Sequence, residues 1–180
     1  MNGIAVFSGI VMLCLAEAAA AKGPSFACDT VAAGSIEALI CEDQELSALD
    51  RTLSGVYAAA SERTVDEHPP RLQAEQRGWI KGRNECWKSD DRDECVRQAY
   101  LLRIAELQAR YRLVPGNGPV RFTCEGDPVA EVIATFFQTD PPTLIAEYGD
   151  AFSLMYLQSL DHFRPDTYPS RAMEKSGLCV

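Results

Sequence analysis

The sequence predicts an α+β fold: a small antiparallel helical bundle followed by a short antiparallel β domain, either a partial barrel or a meander. Three observations carry this. Through the first part of the chain, apolar residues recur at spacings of three and four. After residue 119 the spacing drops towards two. Between them lies Pro115-Gly116-Asn117-Gly118-Pro119, a turn-rich stretch read as a linker that neither helix nor strand crosses.

A short first helix is expected near Ser35 to Cys41. The next stripe, Leu46, Leu49, Leu53, Val56, Tyr57 and Ala60, follows Asp43, which is placed to cap its start. Leu72, Trp79, Ile80, Arg83 and Trp87 mark another helix, opened by Pro69-Pro70. Val96, Tyr100, Ile104, Leu107 and Tyr111 mark the longest, and Asp91 with Glu94 three residues on resembles a capping box. Beyond the linker, four strands are expected around Val120–Cys124, Ala130–Phe136, Leu144–Tyr148 and Phe152–Leu157. From Gln158 onward the pattern has no clear period.

The N-terminus reads as an export signal. Ile4 to Leu15 is a run of about twelve mainly apolar residues, too short to span a bilayer, and Ala18 to Ala21 supplies small residues for cleavage. The expected division is a signal peptide at 1–21, a helical domain at 22–114, a linker at 115–119 and a β domain at 120–180. The expected location is the periplasm or the cell exterior. Cys14 is preceded by Leu13 and sits inside the apolar run, which argues against a lipid anchor there. No later stretch approaches eighteen apolar residues, so no membrane span is expected in the mature chain.

Without Cys14, six of the seven cysteines remain: Cys28, Cys41, Cys86, Cys95, Cys124 and Cys179. An even number in an exported chain reads as a disulfide framework, although six cysteines allow fifteen pairings. Cys28 and Cys41 flank the first helix, Cys86 and Cys95 flank a turn, and Cys124 and Cys179 lie in the β half, so pairing in sequence order is expected. There is no CxxC, and only His68 and His162 could add nitrogen ligands, so no metal site is expected. G-x-S-x-G, HExxH and Gly-rich phosphate loops are missing, so neither a cofactor nor catalytic residues are expected. The net charge of −9 repels phosphate backbones, which excludes nucleic acid as a partner and favours a cationic one.

Trp79, Arg83 and Trp87 follow one another at four-residue spacing and are the candidate binding residues, since indole faces stack on sugars and anchor protein interfaces. The competing reading places both tryptophans in the bundle core with Arg83 paired to a carboxylate. Asp90, Asp91, Asp93 and Glu94 read as a solvated turn and helix cap, not as an acid–base pair.

Pro24-Ser25-Phe26-Ala27-Cys28, Ile36-Glu37-Ala38-Leu39-Ile40-Cys41, Glu45-Leu46 and Leu49-Asp50 with Tyr57 form one motif. Gln76 to Cys86 form a second, and Cys95 to Tyr100 with Arg103 to Leu107 a third. Together these resemble the LprI N-terminal domain family, which recurs in bacterial envelope proteins linked to lysozyme inhibition. The β half resembles the MliC class of inhibitors of c-type lysozyme, through Phe122 to Gly126, Ala134 to Phe137 and Leu144 to Asp150. That class presents a Ser-Gly-containing loop and a Trp-x-Lys-Gly segment; after Leu157 there is no Trp-x-Lys-Gly, and Ser176-Gly177 lacks the usual Tyr neighbour and has Lys175 before it, so the class's inhibitory residues do not carry over. The resemblance implies an exported binding protein, not an enzyme, that inhibits c-type lysozyme or binds another cationic protein by steric and electrostatic occlusion. The alternatives are an envelope assembly factor that binds peptidoglycan or an envelope protein and, more remotely, an enzyme of cell-wall glycan.

Overall fold

A computed structural model of the protein describes residues 23–66, 70–124 and 127–156. The expected signal peptide with Cys14, His68, Pro69, His162, Cys179 and the unpatterned stretch from Gln158 lie outside the described residues.

Four helices come first, and side-chain caps set three of their starts. Ser35 Oγ accepts from the Ala38 amide at 3.1 Å and opens α1, Ile36–Glu42. Asp43 then serves two helices. Its amide donates to Leu39 O, closing α1, while its carboxylate accepts from the Leu46 amide at 2.8 Å, opening α2, Gln44–Arg63. α3, Arg71–Asn84, begins directly after Pro70, which suits a helix start because it has no amide hydrogen to leave unpaired. A 3-10 turn, Glu85–Lys88, ends it. Asp91 caps α4, Arg92–Arg110, by accepting from the Glu94 amide at 3.0 Å. The reciprocal half of the expected capping box does not form: the Glu94 carboxylate takes Gln98 at 2.8 Å and Arg97 at 3.4 Å instead.

The end of α4 directs the chain into the sheet. Arg112 stands at φ 49°, the left-handed conformation that glycine usually supplies. Its amide bonds Ala109 O at 3.1 Å, and the Leu113 amide bonds Gln108 O at 2.8 Å, which satisfies two carbonyls of the last turn.

Four antiparallel strands follow as an open meander: β1 Gly116–Cys124, β2 Asp127–Phe137, β3 Thr143–Tyr148 and β4 Ala151–Tyr156, in spatial order β1-β2-β3-β4. The expected linker is corrected here, because β1 starts inside it at Gly116 and runs through Pro119. The turn-forming residues bend a strand instead of ending one. A side chain at Gly116 would lie 2.7 Å from Thr135 Cγ2, and Gly118 stands at φ 126°, where the β1–β2 register shifts between Asn117 and Val120.

The bundle core centres on α4, whose Val96, Tyr100, Ile104 and Leu107 meet Ile40, Leu46 and Leu53. The sheet lays one face on the C-terminal half of the same helix. Phe137 and Ile145 pack with Ala109, joined by Val114 and Leu154. Tyr156 donates to Leu102 O at 3.1 Å, and Arg112 reaches Glu147 at 3.4 Å. Alternation in β3 follows from this: Thr143 and Ile145 are buried towards α4, and their neighbours are less so. Two disulfides are present among the described residues, Cys28–Cys41 and Cys86–Cys95, both in the expected pairing. Among the described residues no helix is long and apolar enough to cross a membrane.

Candidate functional site

α2 and α3 both pack against α4, and a cleft of about 520 Å³ opens between them. Leu53 and Tyr57 of α2 form one wall, and Trp79 and Ile80 of α3 the other. Phe26 of the N-terminal segment closes one end, held near α1 by Cys28–Cys41. The Ile80 side chain is left 39% exposed at the rim, a large apolar group facing water.

The floor is polar, and each group in it is paired. Arg83, 5% exposed, donates from Nη1 to the Tyr100 hydroxyl at 2.8 Å and from Nη2 to Glu37 Oε1 at 3.0 Å. Its Nε bonds Asn84 Oδ1 at 3.1 Å, and Asn84 in turn donates to Glu37 Oε1 at 2.6 Å. Tyr100, fully buried, donates its hydroxyl hydrogen to Asp50 Oδ1 at 2.8 Å. Asp50 Oδ2 accepts from both the Ser25 amide and the Ser25 hydroxyl at 2.6 Å. A single chain of hydrogen bonds thus joins the N-terminal segment to all four helices. Such a network holds when complete and becomes costly when one member is removed.

Charge follows from this geometry. Burial pushes the Glu37 carboxyl up, but the hydrogen bond from Asn84 and the Arg83 guanidinium outweigh it, leaving Glu37 below the usual carboxylate range. Burial pushes the Tyr100 hydroxyl well above the usual phenol range, so it stays protonated and able to donate to Asp50. The floor thus holds two acids, Glu37 bonded to Arg83 directly and Asp50 joined to it through the Tyr100 hydroxyl.

Of the three candidate residues, the structure brings Trp79 and Arg83 together and leaves Trp87 outside. The Trp79 indole donates to Ala99 O at 3.3 Å, meets Tyr100 edge to face at 5.3 Å, and carries the Arg83 guanidinium 5.5 Å from its centroid. Trp87 belongs to the 3-10 turn, whose tighter winding breaks the four-residue spacing, and it is 57% exposed with Lys88 over its ring. The Cys86–Cys95 bridge beside it fixes that corner. Of the acidic run, Asp91 is spent as the α4 cap, and Asp90, Asp91, Asp93 and Glu94 lie at the surface around that helix start. The side chain of Cys124 and the whole of Cys179 fall outside the described residues.

Periodicity alone misses Ser25, Glu37, Asp50, Asn84 and Tyr100 as a connected group. One signal in the sequence points to it: Asp50 sits on the apolar stripe of α2, between Leu46 and Leu53, where an acid must find buried donors. A second polar cluster joins α3 to α4. Arg110 pairs with Glu75 at 2.7 Å, and Arg103, 4% exposed, bonds Gln76 at 3.0 Å and Glu106 at 2.8 Å.

With this geometry, the chain can be set beside known proteins. Residues 28–111 match the family model described as Lysozyme inhibitor LprI. The chain is also similar to Lipoprotein LprI of Mycobacterium bovis and of two strains of Mycobacterium tuberculosis. In each case 26% of residues are identical over 154 residues, which covers 82% of this chain and 76% of the relative. No solved structure matches. Ser25 lies just before the matched segment, and every other member of the floor network lies within it.

Proposed function

We propose, from the match of residues 28–111 to the family model described as Lysozyme inhibitor LprI, that the protein is an exported binder that inhibits a lysozyme by occluding it. The chain would leave the cytoplasm through the segment at 1–21 and act in the periplasm or outside the cell. The observation that carries this reading is the family match, and the cleft between α2 and α3 is the feature that gives it a place to act. A rigid, disulfide-tied surface with an apolar rim is what an occluding partner needs, since little conformational entropy is lost on docking.

Occlusion needs no chemistry from the inhibitor. The net charge of −9 over the full sequence, −8 once Glu17 leaves with residues 1–21, draws a cationic enzyme towards the protein and raises the rate of encounter, an effect that weakens as salt screens it. The corner carrying Trp87 offers a second contact, because an exposed, well-anchored indole is a typical centre of binding energy.

The test is inhibition of a c-type lysozyme by the oxidised mature chain from Lys22, with folding checked by circular dichroism. Dose-dependent inhibition that weakens with added salt is expected. A folded chain that leaves the enzyme untouched would remove this reading and favour an envelope factor that binds peptidoglycan or an envelope protein. Turnover of muropeptides by the chain itself would instead favour an enzyme of cell-wall glycan.

A further inference from the structure

We infer that the cleft between α2 and α3 is a receptor for a single basic side chain, Lys or Arg, projecting from a cationic protein partner. This rests on the reading of the protein as a binder of a cationic enzyme, and it says which atoms of the partner enter which part of the chain.

The floor selects the charge. Among the described residues that line the cleft, Glu37 and Asp50 are acids and Arg83 is a base, one acid in excess, with Glu37 bonded to Arg83 directly and Asp50 joined to it through the Tyr100 hydroxyl. The Arg83 guanidinium is 5% exposed and makes four hydrogen bonds from Nε, Nη1 and Nη2 to groups of its own chain, which leaves at most one of its five N–H donors for an incoming anion. The Glu37 side chain, by contrast, stays 30% exposed and can accept from a ligand. An anion meets a carboxylate with no open cation behind it; a cation meets its complement.

The walls select the stem. Lys and Arg carry their charge on methylene groups that pack on apolar surface while the head finds a polar partner. Leu53, Tyr57 and Ile80 offer that surface along the cleft. Trp79 and Tyr57 add ring faces, and the chain already stacks a guanidinium 5.5 Å from the Trp79 centroid. A volume of about 520 Å³ holds one long side chain with its adjoining backbone.

Ser54 provides the test. It lines the cleft on α2 and is exposed, so a longer side chain can be placed there without disturbing the core. The experiment titrates c-type lysozyme into the oxidised mature chain and into Ser54→Arg and Ser54→Glu, at low ionic strength, by calorimetry. A synthetic hexalysine peptide and chitotriose are titrated into the same three chains while amide resonances of residues 53–57 and 79–83 are followed. One unit charge in a water-filled cleft changes affinity by about fivefold. Ser54→Arg is therefore expected to weaken lysozyme and hexalysine binding by about that factor and Ser54→Glu to strengthen both, with resonances on both walls moving.

Equal weakening by both substitutions would mean steric blockage without charge selection and would overturn the inference. Lysozyme binding unchanged in both variants would overturn it too, while leaving inhibition itself intact. Chitotriose moving the cleft resonances where hexalysine does not would replace the basic side chain with a glycan. If lysozyme fails to bind the unaltered chain but hexalysine binds with the expected charge dependence, the proposed enzyme partner falls and the basic-side-chain receptor stands.

Discussion

Tyr100 donates its hydroxyl hydrogen to Asp50 at 2.8 Å, and this one bond ties the centre of α4 to the acid on the apolar stripe of its neighbour. Tyr100→Phe removes the donor to Asp50 and the acceptor of Arg83 Nη1 together, at a side chain that is fully buried. A loss of about 1–3 kcal/mol of unfolding free energy is expected, measured by urea denaturation. A change below about 0.5 kcal/mol, the range of surface substitutions, would show that the network does not hold the bundle together.

The two tryptophans of the candidate face separate cleanly by burial. Trp79→Ala opens the cleft wall and removes the indole bond to Ala99 O, and is expected to cost about 3 kcal/mol. Trp87→Ala should stay within about 0.5 kcal/mol of the unaltered chain because its ring faces solvent. Thermal melts of both variants compare the two directly.

Acid should destabilise the fold through Glu37 and Glu75. In each, burial raises the carboxyl, but hydrogen bonds and guanidinium charges outweigh it: Asn84 and Arg83 for Glu37, Arg110 and Arg71 for Glu75. The folded values lie below 4.5, so the stability they add is present above pH 4.5 and is lost as pH falls through the folded values. Urea midpoints should fall as the pH drops below 4.5, and less steeply in Glu37→Gln.

Alkali acts in the same direction through the buried phenols. Burial lifts Tyr156 from 10.0 up to about 12 and lifts Tyr100 further. Stability from these groups is whole below pH 10.0 and declines as pH rises through the folded values. The phenolate absorbance of the native chain should therefore lag behind that of the urea-unfolded chain in an alkaline titration.

At the β3–β4 turn, Gly149 stands at φ 55° with open space where a side chain would go. Gly149→Ala therefore meets no clash and tests backbone conformation alone, with an expected loss of about 1 kcal/mol. Chemical denaturation of the variant supplies the number.

Much of this architecture is legible in the sequence. Asp43 and Asp91 announce their helices because a cap is a local bond, formed within three residues of its donor. Pairing of Cys28 with Cys41 and of Cys86 with Cys95 is legible for the same reason, each bridge closing a short loop. The start of β1 is not. Gly116 and Gly118 read as turn residues, and their use in a bent strand depends on Thr135, Phe137 and Ala134, which lie on another strand. Nor does the four-residue spacing of Trp79, Arg83 and Trp87 disclose that a 3-10 turn carries Trp87 away.

Class and local order thus follow from the amino acids alone: a helical half, a β half, capped helix starts, short-range disulfides and an acidic surface. Each arises from forces that act between near neighbours or sum over the whole chain without regard to place. The cleft belongs to the packed fold. Ser25, Glu37, Asp50, Arg83 and Tyr100 lie up to 75 positions apart and meet only because α2 and α3 both pack on α4. Burying an acid, a guanidinium and a phenol is unfavourable for each alone, and only the fold that assembles all of them supplies the hydrogen bonds that make it tolerable.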